Sequence, residues 1–198
     1  MSKISLELIQ QLRGKTGIGM MECKKALAET KGDVDEAVKY LRKKGASVAA
    51  KRAGNQTSEG IVHTYIHPGS RVGVMVELNC ETDFVARTQD MQDFAKDVGM
   101  HIAAMRPRYL SDEEADQAWI DQEKEIMRSQ LVAAGKPAAM VDKILEGKIK
   151  KVLADVCLLK QPFVKNDKIK IEDLLKELIA RLGENIKIRR FARFEIGL

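Results

Sequence analysis

Three scarcities narrow the classes to which this chain could belong. Its three cysteines, Cys23, Cys80 and Cys157, lie far apart with no CxxC pair, and an odd, unclustered count excludes a disulfide framework and a zinc site. Buried free thiols in a reducing cytosol are the plain reading. No stretch of about 18 apolar residues occurs, which excludes a membrane-spanning helix. Lys3, Glu7, Gln10 and Gln11 break any signal-peptide-like run near Met1, so a cytoplasmic location is expected. Proline occurs four times and aromatic residues fill 5% of 198 positions. Lys, Glu, Ala, Leu and Met dominate in their place, a composition that favours helix.

Nor does one sign of charge prevail. Charged residues make up 32% of the chain, mixed throughout, with a net charge of +5; this is the composition of a globular protein and not of a disordered tail. So mild an excess suits an acidic protein partner as well as it suits nucleic acid. With 44% hydrophobic residues the chain can bury a core, and its length accommodates one ordinary domain or a small one attached to a larger.

Hydrophobic spacing predicts three short helices in the first 45 residues. Leu6, Ile9 and Leu12 define the first, with Ser5 as N-cap; Cys23, Ala26 and Leu27 face inward on the second, about Met20–Glu29. Asp33 caps a third that carries Val34, Ala37, Val38 and Leu41, with Gly45 as its stop signal. A short basic helix and a polar linker follow, so residues 1–54 are expected to form a helical bundle with its linker and 55–198 a core domain. There the period changes to two. Ile61–Ile66 and Val72–Cys80 form a hairpin about the His67-Pro68-Gly69-Ser70 turn, with Val72, Val74, Val76, Leu78 and Cys80 on one face. Met91, Phe94, Ala95, Val98, Ile102 and Met105 return to helical spacing. Ser111 with Glu114 offers a capping box for a long helix, and the Gly135–Pro137 link to a helix carrying Met140, Ile144, Leu145, Ile149, Leu153 and Val156 predicts an antiparallel helical hairpin over about 111–160. A helix near Ile171–Leu182 stops at Gly183. In the last strand Ile186, Ile188, Ala192, Phe194 and Ile196 are expected on one face, and Lys187, Arg189, Arg193 and Glu195 on the other. The class predicted is α+β, with that strand joining the hairpin as a three-stranded antiparallel sheet.

Several motifs tempt. Gly14-Lys15-Thr16 resembles the end of a phosphate-binding loop, but the glycine required earlier would fall on Ile9, and the segment follows a helix instead of a strand. Lys24 and Lys25 on the second helix could meet DNA in a helix-turn-helix; a solvated basic face is the commoner arrangement. His63, His67 and His101 lack a further ligand at compatible spacing. Cys80 lies on the apolar strand face, where an inert thiol is expected. No catalytic group, metal ligand or cofactor site is therefore assigned, and the chain does not read as an enzyme. The turn Glu81-Thr82-Asp83-Phe84-Val85-Ala86-Arg87 is different. Thr82 and Asp83 can cap the next helix, whereas Phe84 fits a core anchor and an exposed plug equally well; exposed, it would make a protein-binding hot spot.

These residues carry a resemblance. Leu12-Arg13 with Thr16-Gly17-Ile18-Gly19-Met20-Met21-Glu22-Cys23-Lys24-Lys25-Ala26-Leu27 closely resembles the N-terminal signature of the elongation factor Ts family, and Leu78-Asn79-Cys80-Glu81-Thr82-Asp83-Phe84-Val85-Ala86-Arg87 its second signature. Gln161-Pro162-Phe163-Val164 and Gly183-Glu184-Asn185-Ile186 onward are also similar to the family. The resemblance implies a ubiquitin-associated-like N-terminal bundle and a guanine-nucleotide exchange factor for elongation factor Tu, without a cofactor or catalytic chemistry of its own. It implies that Arg13, Met20 and Met21 contact the partner through the bundle, and that Thr82, Asp83, Phe84 and Val85 approach its nucleotide pocket and dislodge Mg2+. Short family members resemble one half of longer ones, which implies a homodimer and a 2:2 complex, with no direct nucleic-acid or membrane partner.

Overall fold

The computed structural model describes residues 4–197. In chain order the elements are α1 (Leu6–Thr16), α2 (Met20–Glu29), α3 (Val34–Arg52), β1 (Glu59–Ile66), β2 (Val72–Cys80), α4 (Asp83–Ala86), α5 (Gln89–Met105), α6 (Gln117–Ala133), α7 (Ala138–Val156), β3 (Pro162–Phe163), β4 (Asn166–Lys170), α8 (Ile171–Leu182) and β5 (Ile186–Glu195). β1, β2 and β5 form a three-stranded antiparallel sheet in the order β1-β2-β5, and β3 and β4 pair separately. The α+β class expected from the sequence is the one observed. Two compact units are present: Met1–His63, Glu77–Lys96 and Asp173–Arg189 in the first, Thr64–Val76, Asp97–Glu172 and Arg190–Leu198 in the second.

In the first unit, α1 to α3 form a bundle whose starts are set by short polar side chains. Ser5 Oγ accepts from the Leu8 amide at 3.3 Å, and Asp33 Oδ1 accepts from those of Asp35 and Glu36 at 2.9 and 3.0 Å, which satisfies amides that a helix start leaves orphaned. Ile9, Leu12, Cys23, Ala26, Leu27, Ala37 and Leu41 are buried between the helices, on the stripes that the spacing predicts. Gly45 is not a stop. α3 continues through it to Arg52, because at this point the helix lies against α8: a Cβ added to Gly45 would sit 3.0 Å from the Ala180 Cβ. The glycine serves close approach, not termination. The Arg42–Glu177 pair at 2.8 Å adds a second tie between α3 and α8.

In the second unit, α6 and α7 form the expected helical hairpin around a core of their own, with Ile120, Leu131, Val141, Leu145 and Ile149 buried. Its first helix starts later than the Ser111 capping box suggests. Asp116 is the actual N-cap, its carboxylate accepting from the Ala118 amide at 2.9 Å, and residues 111–115 form turns. Met140 and Met105, expected inward, are exposed: Met140 lies on the first turn of its helix and Met105 is the last residue of α5. Gly99 brings α5 so close to β1 that an added Cβ would meet the Tyr65 Cβ at 2.8 Å.

His101 on α5 is fully buried and fully occupied. Its Nδ1 accepts from the Val164 amide at 3.2 Å, so Nε2 carries the proton and donates to Gln161 Oε1 at 2.9 Å; Gln161 Nε2 in turn donates to the Asp155 carbonyl at 2.6 Å. Burial holds the imidazole below its ordinary pKa, opposed by the Gln161 hydrogen bond. Removing the ring by His101→Ala leaves the Val164 amide and the buried Gln161 carboxamide oxygen without their partner and opens a cavity, so it lowers stability by about 3 kcal/mol; urea unfolding of the two proteins measures the difference.

β5 departs from the sequence reading. Ile186 and Ile188 are buried, but Arg189 and Arg190 are both exposed and the alternation then slips by one residue, leaving Phe191, Arg193 and Glu195 partly buried and Ala192, Phe194 and Ile196 exposed. The apolar residues of β5 thus do not share one buried face. Phe194 is 72% exposed and Ile196 63%.

Candidate functional site

β2 delivers its chain to a corner. Cys80, the last residue of the strand, is buried, and its Sγ–H donates to the Thr82 carbonyl at 3.1 Å; burial pushes the thiol pKa up, so this is an inert, packed cysteine. Thr82 is extended (φ −128°, ψ 154°) and caps the single turn α4, its Oγ1 accepting from the Val85 amide at 3.4 Å. Successive helical residues are about 100° apart. Since Val85 and Ala86 are buried, Asp83 and Phe84 are turned outward, and Phe84 is 80% exposed. Arg87 Nη2 donates to the Asp83 carboxylate at 2.8 Å. Thr88 closes the turn, donating through its hydroxyl to the Val85 carbonyl at 2.8 Å and accepting from the Met91 amide at 3.3 Å, where α5 begins.

A second loop, between α8 and β5, braces this corner from the side. One Glu184 carboxylate oxygen accepts from the Glu81 and Thr82 amides at 3.1 and 3.0 Å, and the other accepts from the Thr82 hydroxyl at 2.6 Å. The Glu81 carboxylate returns the exchange: it accepts from the Asn185 amide at 2.6 Å, from Asn55 Nδ2 at 3.0 Å and from Arg52 Nη1 at 3.3 Å. Asn185 is buried and donates through its own Nδ2 to the Asn55 carbonyl at 2.8 Å. The Asn185 amide above all, then Asn55 and Arg52, hold the Glu81 carboxyl below the ordinary glutamate range against the cost of desolvation. Because its folded-state pKa is depressed, Glu81 contributes stability above the unfolded value of about 4.3, and that contribution disappears as pH falls through the folded value. Glu81→Gln is therefore less stable than the parent at pH 7, with the difference shrinking towards pH 3, as thermal unfolding across that range measures.

The other residues singled out by sequence lie on the bundle. Arg13 is exposed on α1; Met20 is half-buried against the bundle core; Met21 is 66% exposed at the start of α2. Bundle and corner belong to the same compact unit. Gly14, Lys15 and Thr16 are the last turn of α1, not a phosphate loop between strand and helix. Among the described residues no group of three His, Cys, Asp or Glu side chains is placed to hold a metal ion, and no helix is long and apolar enough to cross a membrane.

A family model described as Elongation factor TS matches residues 17–197, which include the corner and its brace. The chain belongs to the elongation factor Ts family. It is 52% identical over 194 residues to Elongation factor Ts of Carboxydothermus hydrogenoformans, covering 98% of this chain and 89% of that one. Elongation factor Ts of Syntrophus aciditrophicus is likewise 52% identical over 194 residues, with 98% and 96% covered. That of Desulfosudis oleivorans is 51% identical over 197 residues, with both chains covered in full. As an elongation factor Ts, the chain is a translation elongation factor and works in protein biosynthesis. What sequence reasoning missed was the brace: Glu184 and Asn185 are more than a hundred residues from Glu81 and Thr82, and no local periodicity marks so distant an exchange. The only signal was the polar run Gly183-Glu184-Asn185, lodged between a helix stop and an apolar strand.

Proposed function

We propose that the chain is a guanine-nucleotide exchange factor that binds elongation factor Tu·GDP and promotes GDP release, and that it is displaced by GTP. The observation that carries this reading is Phe84, a large apolar side chain 80% exposed on a corner whose flanking residues are buried or hydrogen-bonded. Phe84 is the wedge, Asp83 turns outward beside it, and Thr82 and Val85 anchor the turn. Disturbing Mg2+ weakens GDP, because cation and phosphates neutralise each other. By linkage, a factor that weakens nucleotide binding is itself weakened by nucleotide, which is how GTP expels it. The protein needs no catalytic residue or cofactor for this, since it only redistributes binding energy. Moving the partner from 1:99 to 99:1 in favour of an open state takes about 5.5 kcal/mol of differential binding, more than one ring supplies. A second contact through Arg13, Met20 and Met21 on a ubiquitin-associated-like bundle (residues 1–54) accounts for the rest.

The core (residues 55–198) also dimerises in this reading, giving a 2:2 complex in the cytoplasm without nucleic acid. In the second unit, Ile66, Met75, Phe194 and Ile196 are all exposed, and Ile66, Gly73, Phe194 and Ile196 line one open depression. An apolar sheet face of this kind fits a second copy of itself across a two-fold axis. The test of exchange is stopped-flow fluorescence of labelled GDP leaving elongation factor Tu: addition of the protein accelerates release in proportion to its concentration, and an unchanged trace refutes the proposal.

A further inference from the structure

Three donors converge on Glu184: two consecutive backbone amides and a hydroxyl, all from Glu81 and Thr82, within 2.6 to 3.1 Å. A carboxylate suits this set because it offers two acceptor oxygens and no donor. The three bonds fix two successive peptide units, Cys80–Glu81 and Glu81–Thr82, and the hydroxyl that caps α4, so they set the direction in which the turn throws Phe84 two residues later. Glu81 then carries the constraint onward. Its carboxylate joins Asn185, next to Glu184, to Arg52 at the end of α3 and Asn55 just beyond it, where the bundle hands over to the linker. Each loop lends the other a carboxylate.

We propose that Glu184 is a positioning residue for nucleotide release: through Thr82 it aims Phe84, and through the reciprocal Glu81–Asn185 contact it holds the bundle and the corner in one register. The inference rests on the exchange-factor reading and specifies how that site is preorganised. Glu184 does not touch the nucleotide or the partner; its effect passes through the geometry of residues 81–84. Preorganisation of this kind matters because a side chain that must be ordered on binding gives up part of its contact energy to that ordering.

The test is a double-mutant cycle read by release of fluorescent GDP from elongation factor Tu. Glu184→Ala slows catalysed release about 10-fold in the parent background and by less than about 3-fold in a Phe84→Ala background, where only its hold on the bundle is left to lose, since residues acting through one another are not additive. Glu184→Gln stays within about 3-fold of the parent, because its amide oxygen still accepts from both backbone amides while the Thr82 hydroxyl turns to accept from its N–H. Glu184→Asp is one methylene too short to span the three donors; it reproduces the loss seen with Ala, and it keeps the test alive if the Ala variant does not fold. In 1H–15N spectra the Glu81 and Thr82 amide protons move upfield in the Ala and Asp variants, as loss of a carboxylate acceptor requires. Normal loss in Phe84→Ala with no loss in the Ala and Asp variants overturns the inference alone, and so does an equal 10-fold loss in both backgrounds. Unchanged release by Phe84→Ala overturns the wedge role of Phe84 and this inference together, whereas the exchange reading falls only if the parent protein fails to accelerate release.

Discussion

Phe84→Ala slows catalysed GDP release from elongation factor Tu about 100-fold while leaving the protein folded. Both halves of that expectation come from burial. The ring is 80% exposed, so its removal opens no cavity, and an exposed substitution of this kind changes stability by no more than about 0.5 kcal/mol. In a complex the same ring is the natural anchor: buried interfacial aromatics cost about 2–4 kcal/mol on truncation, and about 2.8 kcal/mol corresponds to the hundredfold effect. The corner that presents it is held by Thr82, Thr88, Val85 and Glu184, so little of that energy is lost to ordering. Thermal unfolding and stopped-flow release measured on the same preparation separate the two quantities.

If the chain dimerises as proposed, Phe194→Asp leaves it a monomer. Phe194 and Ile196 are exposed beyond the point where burial along β5 changes phase, and Met75 on the neighbouring β2 and Ile66 on β1 are exposed with them. Burial of one such side chain is worth about 1.5–3 kcal/mol. In a two-fold interface each substitution enters twice, so a charge at position 194 weakens association by at least about 3 kcal/mol, more than roughly a hundredfold in Kd. Sedimentation velocity at micromolar concentration measures the change, with the parent running at twice the chain mass and the variant at once. An isolated parent chain at these concentrations, with undiminished exchange, removes the dimer from the account.

Much of the fold was legible because its determinants are local. Ser5 and Asp33 announce helix starts by residue type, and the stripes Ile9–Leu12 and Cys23–Ala26–Leu27 follow from helical spacing alone. Where the sequence reading erred, a neighbour that it had not weighed had decided. Gly45 looked like a stop, yet Ala180 across on α8 makes it a point of contact within one continuous helix. Ser111 looked like a cap, yet Asp116 competes for the same role closer to the hairpin. In β5 the alternation of residue type gave no sign that burial would change phase after Arg189 and leave Phe194 exposed. At the corner, Thr82 was readable as a cap and Cys80 as a packed thiol. The orientation of Phe84 was not readable, because it depends on Val85 and Ala86 winning the core, and the Glu184 brace was invisible because its partners lie more than a hundred residues away.

The central claim is that the Phe84 ring leaves water for the interior of the GTPase when the nucleotide is released. Fluorine NMR of 4-fluorophenylalanine placed at position 84, with a soluble paramagnetic agent, reports that burial directly. The account predicts a strongly relaxed signal in the free protein and in the GTP-displaced state, and a protected, shifted signal in the complex with nucleotide-free elongation factor Tu. A ring that stays open to solvent in that complex, while GDP release is still accelerated, contradicts it.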